Sequence, residues 1–249
     1  MSTSHLASPK SVQLPGLPNF TEASAQSQFG DSGFRIELAF LNRSSQWLYR
    51  LQQGMKRAVD LLGASLGMVL ISPLLLGIAL LIKITSEGPV LYKSRRIGKN
   101  YQPFDMYKFR TMCTDADAKR DALREQANLQ GDLFKLENDP RVTAIGKILR
   151  ALSLDELPQL LNVIRGEMSL VGPRPLPPDE SQLFEDPYTL RFQVYPGMTG
   201  KWQVSGRSKL RFDQLCRLEM DYVLRWTLLS DLEILFKTLP AVLASRGAF

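Results

Sequence analysis

Two carboxylates and an arginine form the most reactive pattern in this sequence. In "ILRALSLDELPQLLNVIRG", Asp155 and Glu156 are adjacent, and Arg150 stands one short loop upstream. A carboxylate beside a cation can attack an electrophile or ligate a hard metal ion, while the arginine anchors a phosphate. The same residues also have a plain structural use. Asp is a favoured helix N-cap, acids complement a first helical turn, and an arginine complements a last one. In "VGPRP", Arg174 lies between Pro173 and Pro175, either in a rigid turn or as a preorganised fork for bidentate phosphate recognition. "QPFDMYKFRTM" alternates as a strand does. That predicts Lys108 and Arg110 on one face, two residues apart, suited to a phosphate or to a solvated surface. "YPGMTGKWQVSGR" reads as two turns around a short strand, ending at Arg207.

Other chemistries lack their residues. The sole histidine, His5, sits in a polar leader, which argues against a Ser-His or Cys-His mechanism. Cys113 and Cys216 are far apart, with no metal-ligand or CxxC spacing, so a reducing compartment is expected. A formal charge of +6 and a pI near 9.4 favour anionic partners: lipid headgroups, nucleotides or nucleic acid. With 249 residues, 44% of them hydrophobic, one principal domain is expected.

The positioning elements follow from periodicity. Ile145, Ile148, Leu149 and Leu152 fit one short helix, and Leu157, Leu160, Leu161 and Ile164 a second. Pro158 is tolerated only in a first turn, so the second helix should begin near Asp155, and Gly166 is placed to end it. Residues 115–130 predict an exposed helix. Residues 212–245 are mostly helical in pattern, with a stripe of Leu228, Leu232, Leu235, Leu239 and Val242 suited to core packing or shallow membrane docking.

The longest apolar feature is "LLGASLGMVLISPLLLGIALLI", residues 61–82, which carries no charge. As a helix it would reach about 33 Å, enough for a hydrocarbon core of about 30 Å. Pro73 cannot donate to the carbonyl of Val69, so a bend or break is expected at Ser72 and Pro73. Arg50, Lys56 and Arg57 precede the run, and Lys83, Lys93, Arg95, Arg96 and Lys99 follow it. Positive charge tends to stay on the cytoplasmic side, so two basic flanks favour a re-entrant hairpin over a single crossing, with a Pro-kinked span as the alternative. The expected organisation is a flexible extension over 1–35, an interfacial segment over 36–57, a re-entrant membrane helix over 58–84 and a cytoplasmic catalytic domain over 85–249. No secretory signal is visible at the start.

Taken in order, "KRAVDLLGASLGMVLISPLLL", "GPVLYKSRRIGKNYQPFDMYKFRTM", "NDPRVTAIGKILRALSLDELPQLLNVIRGEMSLVGPRP", "YPGMTGKWQVSGRS" and a closing stretch with "SDLEIL" resemble the bacterial sugar transferases. These are monotopic polyprenyl-phosphate phosphoglycosyl transferases, and the likeness runs from about residue 55 to 249. It implies an α+β, mainly helical fold: a re-entrant membrane helix-hairpin broken at Ser72 and Pro73, plus a compact cytoplasmic domain with amphipathic interfacial helices and short strands. It also implies transfer of a sugar 1-phosphate from a UDP-sugar to undecaprenyl phosphate, with release of UMP, at the cytoplasmic face of a bacterial inner membrane.

The resemblance implies Asp155 as nucleophile, Glu156 as ligand to Mg²⁺ and Arg150 as a phosphate contact; Lys108, Arg110 and Arg174 match further basic family positions, and Arg207 is taken as another candidate phosphate or substrate contact. Larger relatives carry extra N-terminal membrane spans, and this sequence resembles the short group used in exopolysaccharide pathways, with glucose or galactose as the expected sugar. The alternatives are an N-acetylhexosamine donor or a catalytically silent membrane scaffold. Partners then include membrane phospholipids and, as an open option, a second copy of the chain in a homodimer. The motif order argues against nucleic acid.

Overall fold

The uncharged run forms the second half of one long helix. The computed structural model describes residues 11–12, 20–21, 43–116, 118–119, 139–181, 188–206 and 211–243. The chain divides into two units, Met1–Arg50 and Leu51–Phe249. In the first, β1 (Ser11–Val12) pairs antiparallel with β2 (Phe20–Thr21), and helix α1 (Arg43–Thr85) begins. The second contains the rest of α1 and a mainly helical domain with short strands. Strands β3 (Leu91–Ile97) and β4 (Pro103–Phe109) form an antiparallel hairpin. Helix α2 (Ala144–Ala151), a 3-10 segment (Leu154–Gln159) and α3 (Leu160–Arg165) follow. Then come β5 (Ser169–Val171), α4 (Pro178–Ser181), a 3-10 turn (Tyr188–Gln193), β6 (Gly197–Thr199), α5 (Lys201–Val204), α6 (Phe212–Leu224) and α7 (Leu228–Leu243).

Helix α1 has two apolar faces. Ala64, Met68 and Ile71 pack with Phe104, Met106, Leu160 and Val163, and Leu75, Ile78 and Ile82 pack with Phe109 and Leu149. These residues recur every three or four positions, so one stripe meets the domain along the helix. The other face stays open: Leu62, Val69, Leu70 and Leu76 are each 69–72% exposed. An apolar face of that extent marks a contact surface for something other than water. By length and composition Arg50–Thr85 could cross a membrane, and no other helix among the described residues meets that test.

The helix runs through Ser72 and Pro73 unbroken, where a break was expected. Pro73 has no N–H for the carbonyl of Val69, and the Ser72 hydroxyl donates to that oxygen instead, at 2.8 Å. The pair therefore weakens the backbone ladder without leaving an acceptor unpaired.

Polar staples fasten both ends of the run to the domain. Lys56 Nζ lies 2.6 Å from Asp231 Oδ2 and donates to the carbonyl of Val171 at 3.0 Å. Tyr222 and Trp226 both donate to the same aspartate. Arg57 donates to the carbonyls of Val163 and Ile164 at the end of α3. Asp60 accepts from Ser169 Oγ and the Leu170 N–H. At the far end, Arg110 donates to the carbonyls of Ser86 and Glu87 and to Ser86 Oγ. Lys56 and Arg57 are thus internal anchors, where the sequence reading made them a basic membrane flank. The boundary drawn at residue 57 also falls inside one helix.

Two other expectations shift. The buried face of α7 contains Asp231 and Ile234, with Leu235 half-buried beside them, while Leu232 turns outward with Leu229 and Phe236. Polar partners set that face, through Lys56 on Asp231 and the paired hydroxyls of Thr199 and Thr238 at 2.8 Å. On α2 Gly146 and Leu149 are buried, while Ile148 and the C-cap Leu152 are exposed. Most of the charged stretch 115–130 lies outside the described residues.

The hairpin is locked to α3 by one side chain. Asn162 is fully buried, its amide donating to the carbonyl of Asp105 (2.8 Å) and accepting from the N–H of Tyr107 (2.9 Å). It thereby takes the place of a neighbouring strand on the free edge of β4. Replacing Asn162 by Ala would leave those groups and Glu167, which it also contacts, without their partner. The expected cost is about 2 kcal/mol of stability, from unpaired buried polar groups. Thermal unfolding in detergent, compared with wild type, measures it.

Candidate active site

The carboxylates sit on the 3-10 segment between α2 and α3. Ser153, with φ at 56°, takes the left-handed turn that redirects the chain after α2. Pro158 is accommodated because its segment is a 3-10 turn, and the α-helix starts only at Leu160. Gly166 ends α3 with φ at 82°, as its position predicted. The cap residues, Ser153 before the 3-10 segment and Gln159 before α3, make no side-chain cap. Asp155 and Glu156 thus lie in a turn and not at the start of an α-helix.

Lys108 reaches both acids from β4. Its Nζ lies 2.7 Å from Glu156 Oε1 and 3.9 Å from Asp155 Oδ2. In the hairpin register Tyr92 faces Lys108, Ser94 faces Met106 and Arg96 faces Phe104. Arg96 and Lys108 therefore share one face, on either side of Met106. Across a shallow cleft these two cations meet Arg174, with Glu156 and Gln159 on the same lining. The Arg174 guanidinium stands 5.6 Å from the ring of Trp202. Asp155 is 8% exposed beside this cleft, and the Glu156 side chain is 32% exposed within it.

Charge drives the two acids apart. Burial opposes ionisation of Glu156, but Lys108, Arg174 and Arg96 outweigh it and hold its carboxyl at about 2. Burial raises the Asp155 carboxyl above its ordinary value, Lys108 and Arg150 only partly offsetting that and the charge of Glu156 adding to it. Neighbouring carboxyls with separated proton affinities divide chemical roles: a permanent anion and a more basic, partly desolvated one.

The structure brings Asp155, Glu156, Lys108, Arg174 and Arg150 to one region. Arg150 spends its Nε on Thr111 Oγ1 at 2.9 Å, and its charge acts on Asp155. Arg110 belongs elsewhere. Strand β4 ends at Phe109, and Arg110 turns to cap the carbonyls just beyond α1, so it does not share the Lys108 face as a site cation. Arg207 lies outside the described residues. Arg96 and Gln159 are additions. Arg96 was legible only as part of a basic flank; pairing "YKSRRI" against "PFDMYKF" in register is the signal that would have found it.

Among the described residues no three acidic, histidine or cysteine side chains gather as a metal cage. Mg²⁺ in phosphate chemistry needs only one or two carboxylates, the other ligands being phosphate oxygens and water. The hard-oxygen pair Asp155 and Glu156, with Glu156 open to the cleft, fits that requirement once Lys108 yields its place.

The Lys108→Met variant tests the electrostatics. Loss of this cation should raise the Glu156 carboxyl well above about 2, read by carbon-13 NMR of labelled glutamate. The depressed pKa contributes stability above the ordinary carboxyl value, lost as pH falls towards the folded value. The stability gap between wild type and Lys108→Met should therefore be full at neutral pH and close as pH falls from 4.5 towards about 2.

Comparison with known proteins places this geometry in a lineage. The profile of the family described as "Bacterial sugar transferase" matches residues 51–245. The exopolysaccharide production protein ExoY of Rhizobium meliloti is 47% identical over 78% of this chain and 88% of its own length. The UDP-glucose:undecaprenyl-phosphate glucose-1-phosphate transferase of Caulobacter vibrioides is 40% identical over 78% of this chain and 72% of its own. The undecaprenyl-phosphate galactose phosphotransferase of Salmonella typhimurium is 41% identical over 86% of this chain but only 44% of its own, so the chain matches less than half of that longer relative. The paired carboxylates, the cation-lined cleft beside them and the apolar helix fall within the matched span, and the chain belongs to the bacterial sugar transferase family.

Proposed function

We propose that this chain transfers a hexose 1-phosphate, of glucose or galactose, from a UDP-hexose to undecaprenyl phosphate, releasing UMP and initiating an exopolysaccharide or related glycan. The observation that carries this reading is the Asp155–Glu156 pair with separated proton affinities, beside a cleft that offers three cations and no histidine. Relatives named as glucose and galactose phosphotransferases support the donor and acceptor classes.

The reaction proceeds by two displacements at one phosphorus. Asp155 Oδ attacks the sugar-bearing phosphorus, the bond to the bridging oxygen breaks, and UMP leaves with the electron pair. An oxygen of the lipid phosphate then attacks the same phosphorus, freeing Asp155 and forming the lipid-linked diphosphate sugar. A carboxylate and a phosphate oxygen attack as anions, so neither displacement has to be preceded by proton transfer to a histidine. Two steps also mean that nucleotide and lipid need not occupy the cleft together. Arg96, Lys108 and Arg174 face the non-bridging oxygens on which charge accumulates, where preorganised cations lower the barrier. Glu156 would hold Mg²⁺, which when bound supplies further positive charge to the diphosphate. Arg150, next to Asp155 and close to the end of the apolar helix through Thr111, is assigned to the lipid phosphate.

The apolar helix is inferred to enter one leaflet and return at the cytoplasmic face of the inner membrane. Supporting this is the fastening of both its ends to one domain: Lys56, Arg57 and Asp60 at the start, Ser86 and Glu87 at the finish. A simple crossing would pull one set of staples through the bilayer. Burying those charged groups in hydrocarbon would be costly. The Ser72–Pro73 weakness lies midway along the run, with its carbonyl already satisfied.

Two experiments test this reading. Asp155→Asn should lower UMP release by about 10⁴-fold or more, the scale seen on loss of a covalent nucleophile. Membrane association should persist, and mass spectrometry of wild type with donor alone should find a hexose phosphate on Asp155, with the responding UDP-sugar identified from a panel. Unchanged turnover in Asp155→Asn would remove the nucleophile from this scheme. For topology, single cysteines replacing Gln52 or Glu87 in a cysteine-free background should both resist an impermeant maleimide in spheroplasts and react after lysis. Labelling of either one from outside would mean a crossing helix.

A further inference from the structure

Arg174 has the only backbone N–H in Pro173-Arg174-Pro175, because proline has none. That N–H does not pair with a strand. It donates to Glu219 Oε1 of α6 at 2.9 Å. The Arg174 carbonyl accepts from Arg191 Nη2 at 2.7 Å. Arg191 and Glu219 close the ring, with Nη2 and Oε2 2.9 Å apart and side chains 2% and 3% exposed. Neither lines the cleft into which Arg174 projects.

An ion pair buried to this degree is weak as a source of stability, since desolvation offsets most of its attraction and apolar packing often does better. Its geometry points to another use. The two side chains, themselves paired, grip both backbone groups of a single residue, which fixes how the arginine leaves the chain. Trp202 then supports the guanidinium from below. We propose that Glu219 and Arg191 are positioning residues that aim Arg174 into the cleft, so that binding of the diphosphate depends on two groups that do not touch it. This rests on the reading of Arg174 as a phosphate cation.

A double-mutant cycle decides it. Wild type, Arg174→Ala, Glu219→Gln and the double variant are purified in nanodiscs. UDP affinity is measured by calorimetry, kcat/KM by UMP release with UDP-glucose and UDP-galactose, and folding by thermal denaturation. Arg174→Ala should lower kcat/KM by about 10²-fold, as removal of one preorganised charge-stabilising group does. Glu219→Gln should lower both UDP affinity and kcat/KM by about tenfold or more when Arg174 is present, and change neither when it is absent.

A merely structural Glu219 would weaken Arg174→Ala by the same factor as wild type, and that result overturns the clamp. So does full UDP affinity in Glu219→Gln, or in Arg174→Ala. If Glu219→Gln does not fold, Glu219→Asp, which keeps the charge and shortens its reach, takes its place in the cycle. If wild type releases no UMP, the proposed reaction fails while UDP affinity still decides the clamp.

Discussion

One cation makes the site feasible. Asp155 and Glu156 are adjacent anions, one of them deeply buried, and such a pair ionises together only when positive charge is close. Lys108 supplies that charge at 2.7 Å and 3.9 Å, and so ties the hairpin to the 3-10 segment electrostatically. It also favours the anionic form of Glu156 more than that of Asp155, which leaves Asp155 as the more basic carboxylate. The packing around it serves this placement. Asn162 takes the place of a strand on the edge of β4, Met106 and Phe104 bury the hairpin face against α3, and Arg96 follows from the register that sets Lys108.

The same hairpin links the chemistry to the membrane helix. Met106 and Phe109, on β4, pack in the two clusters that hold the two halves of α1. Arg110, the next residue, caps the end of the helix. A short stretch of chain therefore carries a site cation, a wall of the core and an anchor for the apolar run. The GPRP loop is tied in from the other side. Val171, just before it, gives its carbonyl to Lys56 of α1. The close approach of β5 and β6 at Gly172 and Gly197, where an added Cβ would overlap backbone atoms, brings the loop against the turn before α5. The apolar helix, the turn with the two carboxylates and the GPRP loop thus share one frame.

Much of this was legible in the residues. The alternation of "QPFDMYKF" marked β4, Gly166 marked the end of α3, and the ordered motifs marked the family. The errors have specific causes. Arg110 shares the parity of Lys108, and only the end of the strand at Phe109 separates their fates. Lys56 and Arg57 have the sequence appearance of a membrane flank, yet their partners, Asp231 and the end of α3, lie more than 100 positions away. The α7 stripe was drawn through its leucines, while a buried aspartate and a threonine set the face that turns inward.

Sequence alone determined the family, its reaction class and the apolar helix, because these depend on residue type, short-range period and motif order. Tertiary structure decided which cations serve the acids, which of two neighbouring carboxyls is the harder to ionise, and which basic residues are anchors. Those properties come from burial and from distances between segments remote in the chain. Local spacing contains no record of either.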